Sequence, residues 1–380
     1  MSLHASGDAG SGDDHRADPH GVYVHVPWCR ARCPYCAFAV VPGEAPPDWP
    51  PFVARVLAEY DQRRFPGRPT TAYLGGGTPS RLPPEAIAAL VAAIDASGEV
   101  TAEVNPEDLT DDWLAGAVAA GVNRVSLGVQ SLTDPIARRL GRGHTSKLAE
   151  AAIDRVARSP LRTWSLDLMF AVPGQTLRDL DDDLDRVIAA GAPHVSVYGL
   201  TFEPGTRFES ARARGKLVPL DDDGWRAMYD RLVERLAAAG IHRYEVSNFA
   251  RDGHRSAHNR LYWTDRPYVG LGPSAHGYAP DGQRWVNVAE LDPYLVLDDP
   301  TASRETPSPA ARATDRLVSG LRSIDGIDLD RLGVPIDPRV IEVLVRNGLV
   351  TRTGDHLALT DAGFPVCDGI VARLVDALEP

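Results

Sequence analysis

Three of the four cysteines crowd into one short stretch, Cys29-Arg-Ala-Arg-Cys33-Pro-Tyr-Cys36, with C-x3-C-x2-C spacing. Three thiolates on one loop can anchor three irons of a cubane cluster and leave the fourth iron open to a small-molecule chelator. Zinc is a competing use of the same thiols and would need a fourth ligand such as His25. A redox pair would use Cys33 and Cys36 and leave Cys29 unexplained, and buried structural thiols are the plainest alternative. Cys367 stands far away beside Val366 and Ile370 and reads as an inert core thiol.

A second set of residues is polar within apolar runs. Leu74-Gly75-Gly76-Gly77-Thr78-Pro79-Ser80 is a turn whose glycines let backbone polar groups come close to a ligand, with no lysine of the kind a phosphate loop needs. Glu103 in AEVNP, Gln130 in LGVQS, Arg142 in LGRGH and Asp167 in SLDLMF fall at successive strand or loop ends. Such groups are costly to bury unpaired, and lining a mouth that holds a polar ligand resolves the cost. Asp181, Asp182 and Asp183 read as a solvated helix face rather than a metal site. His4, His15 and His20 fall in the N-terminal tail.

The elements that must position these residues follow from periodicity. GVYVHVP (21–27) reads as a strand feeding the cysteine loop, and similar runs recur at 71–77, 100–106, 124–131, 163–174 and 194–202. Between them lie stretches of helical spacing, at 51–63, 84–98 and 177–191. Strand–helix repetition predicts a parallel sheet, and six such units followed by something different predict an incomplete (β/α) barrel over an open doubly wound sheet. Several strands look apolar on both sides, as helix-covered strands do. Residues 1–20 carry little to bury and read as a disordered tail; 21–295 form the barrel and its extension; Pro/Ser/Thr-rich residues around 291–310 mark a boundary. Residues 305–380 read as helix, helix, hairpin and helix, a small winged-helix-like α+β domain. Segment 301–380 carries 9 Arg against 12 Asp+Glu, the wrong sign for a DNA groove. The chain as a whole, with 380 residues and a net charge of −12, repels nucleic acid and acidic membranes. The residues present show no secretory signal and no span of about 20 apolar residues, so a cytoplasmic location is expected.

The cysteine loop with Tyr35 before its third cysteine resembles the radical S-adenosylmethionine (SAM) superfamily. The resemblance implies a (β/α)6 barrel with a [4Fe–4S] cluster at its C-terminal mouth, whose open iron binds SAM. YVHVPWC, GVNRVSLGVQS, DLMFAVPGQT and YEVSNFA narrow it to the oxygen-independent coproporphyrinogen dehydrogenases and their HemW-type relatives, over residues 21 to 376. By position the resemblance assigns SAM contacts to Tyr23, Gly76, Gly77, Thr78, Glu103, Gln130, Arg142 and Asp167, and to Thr201 and His276, where the residue types differ.

Two features separate the members of that family. The dehydrogenases continue to C-x3-C-x2-C-x-C, whereas here Cys36-Ala37-Phe38 lacks the last thiol. His258-Asn259-Arg260-Leu261-Tyr262-Trp263 resembles the HNxxYW motif of the haem chaperones. A neutral imidazole can ligate haem iron, and Tyr262 and Trp263 offer flat apolar surface to the macrocycle. The plain alternative is that His258 makes a core hydrogen bond while the aromatics pack. Relatives often carry a cysteine before this histidine, where this chain has Ser256-Ala257. The resemblance therefore implies a haem chaperone with haem as cargo, acceptor haemoproteins and an electron donor as partners, and membrane association only through the acceptors. A radical SAM enzyme that decarboxylates or methylates a tetrapyrrole is the alternative.

Overall fold

The computed structural model describes residues 19–45 and 47–378; the expected tail lies, up to residue 18, outside them. His20 is not part of a tail. It is buried, its ring meets Phe65 edge-on at 5.5 Å, and its carbonyl accepts from Thr70 N–H at 2.8 Å.

Strands β1 (Gly21–Val26), β2 (Thr71–Gly76), β3 (Glu99–Val104), β4 (Arg124–Gln130), β5 (Thr163–Phe170) and β6 (His194–Gly199) pair in chain order, all parallel. On the far side of β6 lies β7 (Asn248–Ala250), antiparallel. β8 (Tyr268–Leu271) adds a seventh parallel strand beside β1. β9 (His276–Tyr278), β10 (Arg284–Asn287) and β11 (Thr301–Glu305) then extend the sheet antiparallel. The sheet does not close; it runs from β11 at one edge to the pair His242–Arg243 at the other.

The crossover helices include α1 (Trp49–Arg63), α2 (Pro84–Ile94), α3 (Asp111–Ala119), α4 (Ser146–Ala157) and α5 (Leu177–Ala189). Their starts are written in the sequence: proline opens α2, and Thr110, Thr145 and Thr176 accept backbone N–H bonds at the N-termini of α3, α4 and α5. Apolar residues at helical spacing, such as Ala86, Ile87, Leu90, Val91 and Ile94 on α2, cover Val22, Leu74, Ala102, Leu127 and Leu166 in one core.

The strands are apolar on one face only, which corrects the two-faced expectation. On the other face Tyr23, Thr71, Tyr73, Glu99, Glu103, Arg124, Ser126, Ser165, Asp167, His194 and Ser196 follow the pleat into the interior. The physical reason is that these groups bond one another across strands: Tyr73 Oη–H donates to Glu103 at 2.8 Å, and Ser126 Oγ–H to Asp167 at 3.1 Å. The helices α6 (Asp222–Ala238) and α7 (Ala257–Trp263) follow the barrel. The segment 244–258 bonds to interior side chains of β2, β3, β5 and β6, a span of about 19 Å in a flat sheet, so the sheet must curl around it.

Residues 291–305 belong to the larger unit rather than to a linker: Tyr294 is fully buried against Glu59 of α1, and β11 is a sheet strand. Beyond them α8 (Pro309–Gly320), α9 (Pro338–Arg346), the hairpin β12 (Val350–Thr353) and β13 (His356–Leu359), and α10 (Cys367–Asp376) enclose their own core of Leu317, Leu321, Leu344, Leu357, Phe364 and Leu374. Cys367 is buried in it. Asp183 departs from the solvated helix face. It is buried and accepts from Leu132 N–H at 2.7 Å and Ser131 Oγ–H at 2.8 Å, pinning the loop after β4, and burial pushes its carboxyl up to about 6. No helix among the described residues is long and apolar enough to cross a membrane.

Candidate functional site

Parallel strands bring their C-terminal ends to one rim, and the polar residues singled out above gather there. The cysteine loop leaves β1, and all three of its thiols are free and half-buried. Among the described residues no three His, Cys, Asp or Glu side chains converge on one point. One thiolate per iron corner is what a cubane asks for, and the donors nearby suit it. Thr78 Oγ1–H donates to Cys29 Sγ at 3.4 Å, and Arg142 Nη1–H points at Cys33 Sγ at 3.8 Å. Burial pushes the Cys29 thiol up to about 11 and raises that of Cys36, so ligation must draw off their protons.

The glycine turn that ends β2 packs against the base of this loop. Gly76 has φ +104°, and a Cβ there would lie 2.5 Å from the His25 ring; one at Gly77 would meet the Pro27 backbone at 2.8 Å. The glycines therefore serve close backbone packing as well as ligand approach. Gly76 N–H donates to Glu103 Oε2 at 3.2 Å. Burial, reinforced by the charge of Asp167, pushes Glu103 up to about 7. Asp167 is raised as well, by burial, against hydrogen bonds from Ser196 and Ser126. Two carboxyls in one polar chamber, both resisting ionisation, await a cationic or hydrogen-bonding ligand.

Tyr23 lies in the same chamber, its ring stacked at 6.2 Å on Tyr73 and its hydroxyl 3.1 Å from His25 Nδ1. Gln130 ends β4 at its bulge with φ +67°, a conformation that glutamine rarely adopts. Thr201 is exposed just past β6 and donates to Glu203 at 2.9 Å; His276 is exposed at the start of β9. The structure thus sets Thr78 and Arg142 against the cysteine sulfurs and Gly76 and Gly77 against the base of their loop, gathers Tyr23, Glu103 and Asp167 in the polar interior, and leaves Thr201 and His276 exposed.

Sequence reasoning missed Asn105, which joins Arg142 to Thr78, and Tyr73, which holds Glu103. Asn105 had a signal, a polar residue at the end of a strand run just before Pro106; Tyr73 read as an ordinary strand aromatic.

The His258 cluster lies at the opposite end of the barrel, at its floor. His258 is fully buried; Nδ1 shares a hydrogen bond with Thr71 Oγ1 at 2.7 Å and Nε2 with Tyr262 Oη at 2.9 Å. Glu99 caps the start of α7, accepting from Ala257 N–H at 3.0 Å and His258 N–H at 3.1 Å. Gly21 is required here, because a Cβ would lie 2.6 Å from Leu261. Burial pulls the His258 imidazole down to about 4, so it is neutral. Neither ring nitrogen is open to an iron in this conformation. Tyr262 and Trp263 are partly exposed, and Trp263 Nε1 is buried without a hydrogen-bond partner.

Comparison with known proteins adds three findings. The Radical SAM superfamily model matches residues 23–187. Proteins named "Heme chaperone HemW" from Mycobacterium tuberculosis, Bacillus subtilis and Escherichia coli are 36%, 32% and 32% identical, covering 94%, 90% and 91% of this chain and 95% of each relative. The structure of coproporphyrinogen III oxidase (HemN) from Escherichia coli superposes with a TM-score of 0.81 at 19% identity, over 94% of this chain and 90% of that one, a likeness of fold.

Proposed function

This chain belongs to the HemW family of radical SAM proteins, and on that premise we propose that it binds haem and passes it to acceptor haemoproteins. One observation carries the reading: the match to a protein named for haem chaperoning spans 94% of this chain, so it takes in the HNxxYW helix and the C-terminal unit as well as the barrel. The Cys36-Ala37-Phe38 tail of the cysteine loop, without a fourth thiol, supports it against coproporphyrinogen decarboxylation.

Membership of the superfamily implies a [4Fe–4S] cluster and SAM. When bound, the cluster supplies one electron and an open iron for the amino and carboxyl groups of SAM. In the proposal Cys29, Cys33 and Cys36 hold the irons. Glu103 and Asp167 face the ligand from β3 and β5, where a cationic amino group would offset the burial that raises both carboxyls. Tyr23, Gly76, Gly77, Thr78, Gln130 and Arg142 complete the chamber, with Thr201 and His276 at its rim.

For haem, the proposal assigns His258 as iron ligand and Tyr262 and Trp263 as flat contacts. Its burial makes the imidazole neutral, as ligation needs, and Tyr262 must leave Nε2 before iron can take its place. The two satisfied ring nitrogens favour a second reading, in which His258 is the pin that closes the floor and haem sits elsewhere.

Two assays test the function together. The anaerobically reconstituted chain is titrated with haem, and separately given SAM, dithionite and coproporphyrinogen III. A saturable Soret band without decarboxylated product is expected; decarboxylation with no saturable haem binding would replace the chaperone with a tetrapyrrole enzyme.

A further inference from the structure

The donors that reach Cys29 and Cys33 belong to one chain of hydrogen bonds, and Asn105 is its central link. Arg142 Nη2–H donates to Asn105 Oδ1 at 2.5 Å and to Gly128 O at 2.8 Å, while Nη1–H points at Cys33 Sγ. Asn105 Nδ2–H donates to Thr78 Oγ1 at 3.0 Å, and Thr78 in turn donates to Cys29 Sγ. The orientation of the amide follows from its neighbours. Arginine has no acceptor, so the atom facing it is the amide oxygen, and the nitrogen must face Thr78. A hydroxyl has one proton; with Asn105 Nδ2–H directed at its oxygen, that proton is left for the sulfur. The seat is fixed, since Asn105 N–H donates to Ser80 Oγ at 3.3 Å and a Cβ on Gly128 would come within 3.2 Å of Oδ1. Aspartate could accept from Arg142 but could not donate to Thr78, and serine is too short to span both, so the position calls for an amide.

We propose that Asn105 is a positioning residue for the cluster, holding Thr78 O–H on Cys29 and the Arg142 guanidinium on Cys33 and so setting the cluster's reduction potential. The proposal rests on the reading of the three cysteines as cluster ligands and is independent of haem. Hydrogen bonds donated to a ligating sulfur favour the more negative, reduced cluster, so losing them lowers the potential.

The test uses the full chain, reconstituted anaerobically, as parent, Asn105→Leu, Thr78→Val and the double variant, with iron and sulfide analysis and a redox titration followed by electron paramagnetic resonance. Both single variants are expected to keep about four irons per chain. In Asn105→Leu the reduced-to-oxidised ratio at fixed potential falls about tenfold, about 59 mV for a one-electron couple. Thr78→Val shows a smaller fall, and the double variant falls no further than Asn105→Leu, because both break one chain. An unmoved potential in either single variant at full iron content overturns the proposal, as do additive shifts. Loss of iron in Asn105→Leu also overturns it, since the residue would then serve retention of the cluster rather than the aim of the donors. A parent chain that takes up no iron would instead overturn the reading of the cysteines.

Discussion

Cys29, Cys33 and Cys36 differ from Cys367 in surroundings more than in chemistry. The three sit half-buried on a loop at the barrel mouth, and the fourth is buried in the C-terminal core. Replacing any one of the three by alanine will abolish iron uptake on anaerobic reconstitution, whereas Cys367→Ala will leave it intact; iron and sulfide analysis of the four variants checks this. Glu103 offers a test by pH. Its carboxyl is raised from 4.5 to about 7, so the folded state holds a proton that the unfolded state releases between those values. The penalty for ionising it in the fold is absent below 4.5, grows through the interval and is complete above about 7. Glu103→Gln therefore stabilises the ligand-free protein above pH 7 and leaves it unchanged near pH 4.5, read as melting temperature against pH. The same change weakens SAM binding by about 1.5–3 kcal/mol, the worth of a hydrogen bond to a charged group, by calorimetry. A neutral shift at both pH values would mean that Glu103 is solvated rather than held in the chamber.

At the scale of elements, α7 matters through where it lies. Its first turn is capped by Glu99, its histidine joins Thr71, and its approach is permitted by Gly21, so three strands meet one short helix at the barrel floor. His258 is depressed to about 4, so the unfolded chain takes up a proton between about 6.5 and 4 that the folded chain refuses. Its contribution to stability is present above pH 6.5 and lost as pH falls through that window. His258→Ala strands Thr71 and Tyr262 and will cost about 1–3 kcal/mol at pH 7.5 by denaturant unfolding, with the acid-side slope reduced. If stability is untouched while haem affinity collapses, the pin reading of His258 fails and the ligand reading stands. Much of the framework was legible in the sequence: the six strand runs and the helices after β1, β2 and β5 lie within a few residues of where hydrophobic spacing puts them, while α3 and α4, after β3 and β4, were not singled out. What spacing hides is which polar residues turn inward. Asp183 lies in a run of three aspartates that looks solvated, yet a loop from β4 closes over it; Glu59 shares a helix side with Phe52, Val56 and Tyr60 and is wholly buried by Asn287 and Tyr294 from more than two hundred residues away. The cysteine loop, the glycine turn, Glu103 and Asp167 could be singled out because costly residue types stood in or beside apolar strand runs. Asn105 and Tyr73 were not, because their worth lies in partners on other strands.

Across the whole molecule the mouth holds the cysteine loop, the floor holds His258, and the C-terminal unit touches the floor. Two backbone hydrogen bonds make that contact: Tyr244 O accepts from Ile324 N–H at 3.1 Å and Val246 N–H donates to Arg322 O at 2.9 Å, while the Tyr244 hydroxyl meets His194 inside the barrel and accepts from Ser256 N–H before α7. Deleting residues 307–380 will therefore loosen α7, seen as faster hydrogen exchange over 256–263 with the exchange of β1 to β4 retained; uniform protection of α7 would show that the two units are independent. Haem delivery, and the parts that mouth and floor would play in it, can be separated in one measurement. The chain is loaded with haem, as wild type with its cluster and as Cys33→Ala without it, and mixed with an apo-haemoprotein while the Soret bands of donor and acceptor are followed. The account predicts that both proteins hold haem, because the proposed haem residues lie at the floor, and that only the cluster-bearing protein hands it over. Haem that is never held above the level of an unrelated protein, or that leaves both forms only at the rate of free haem, would contradict it.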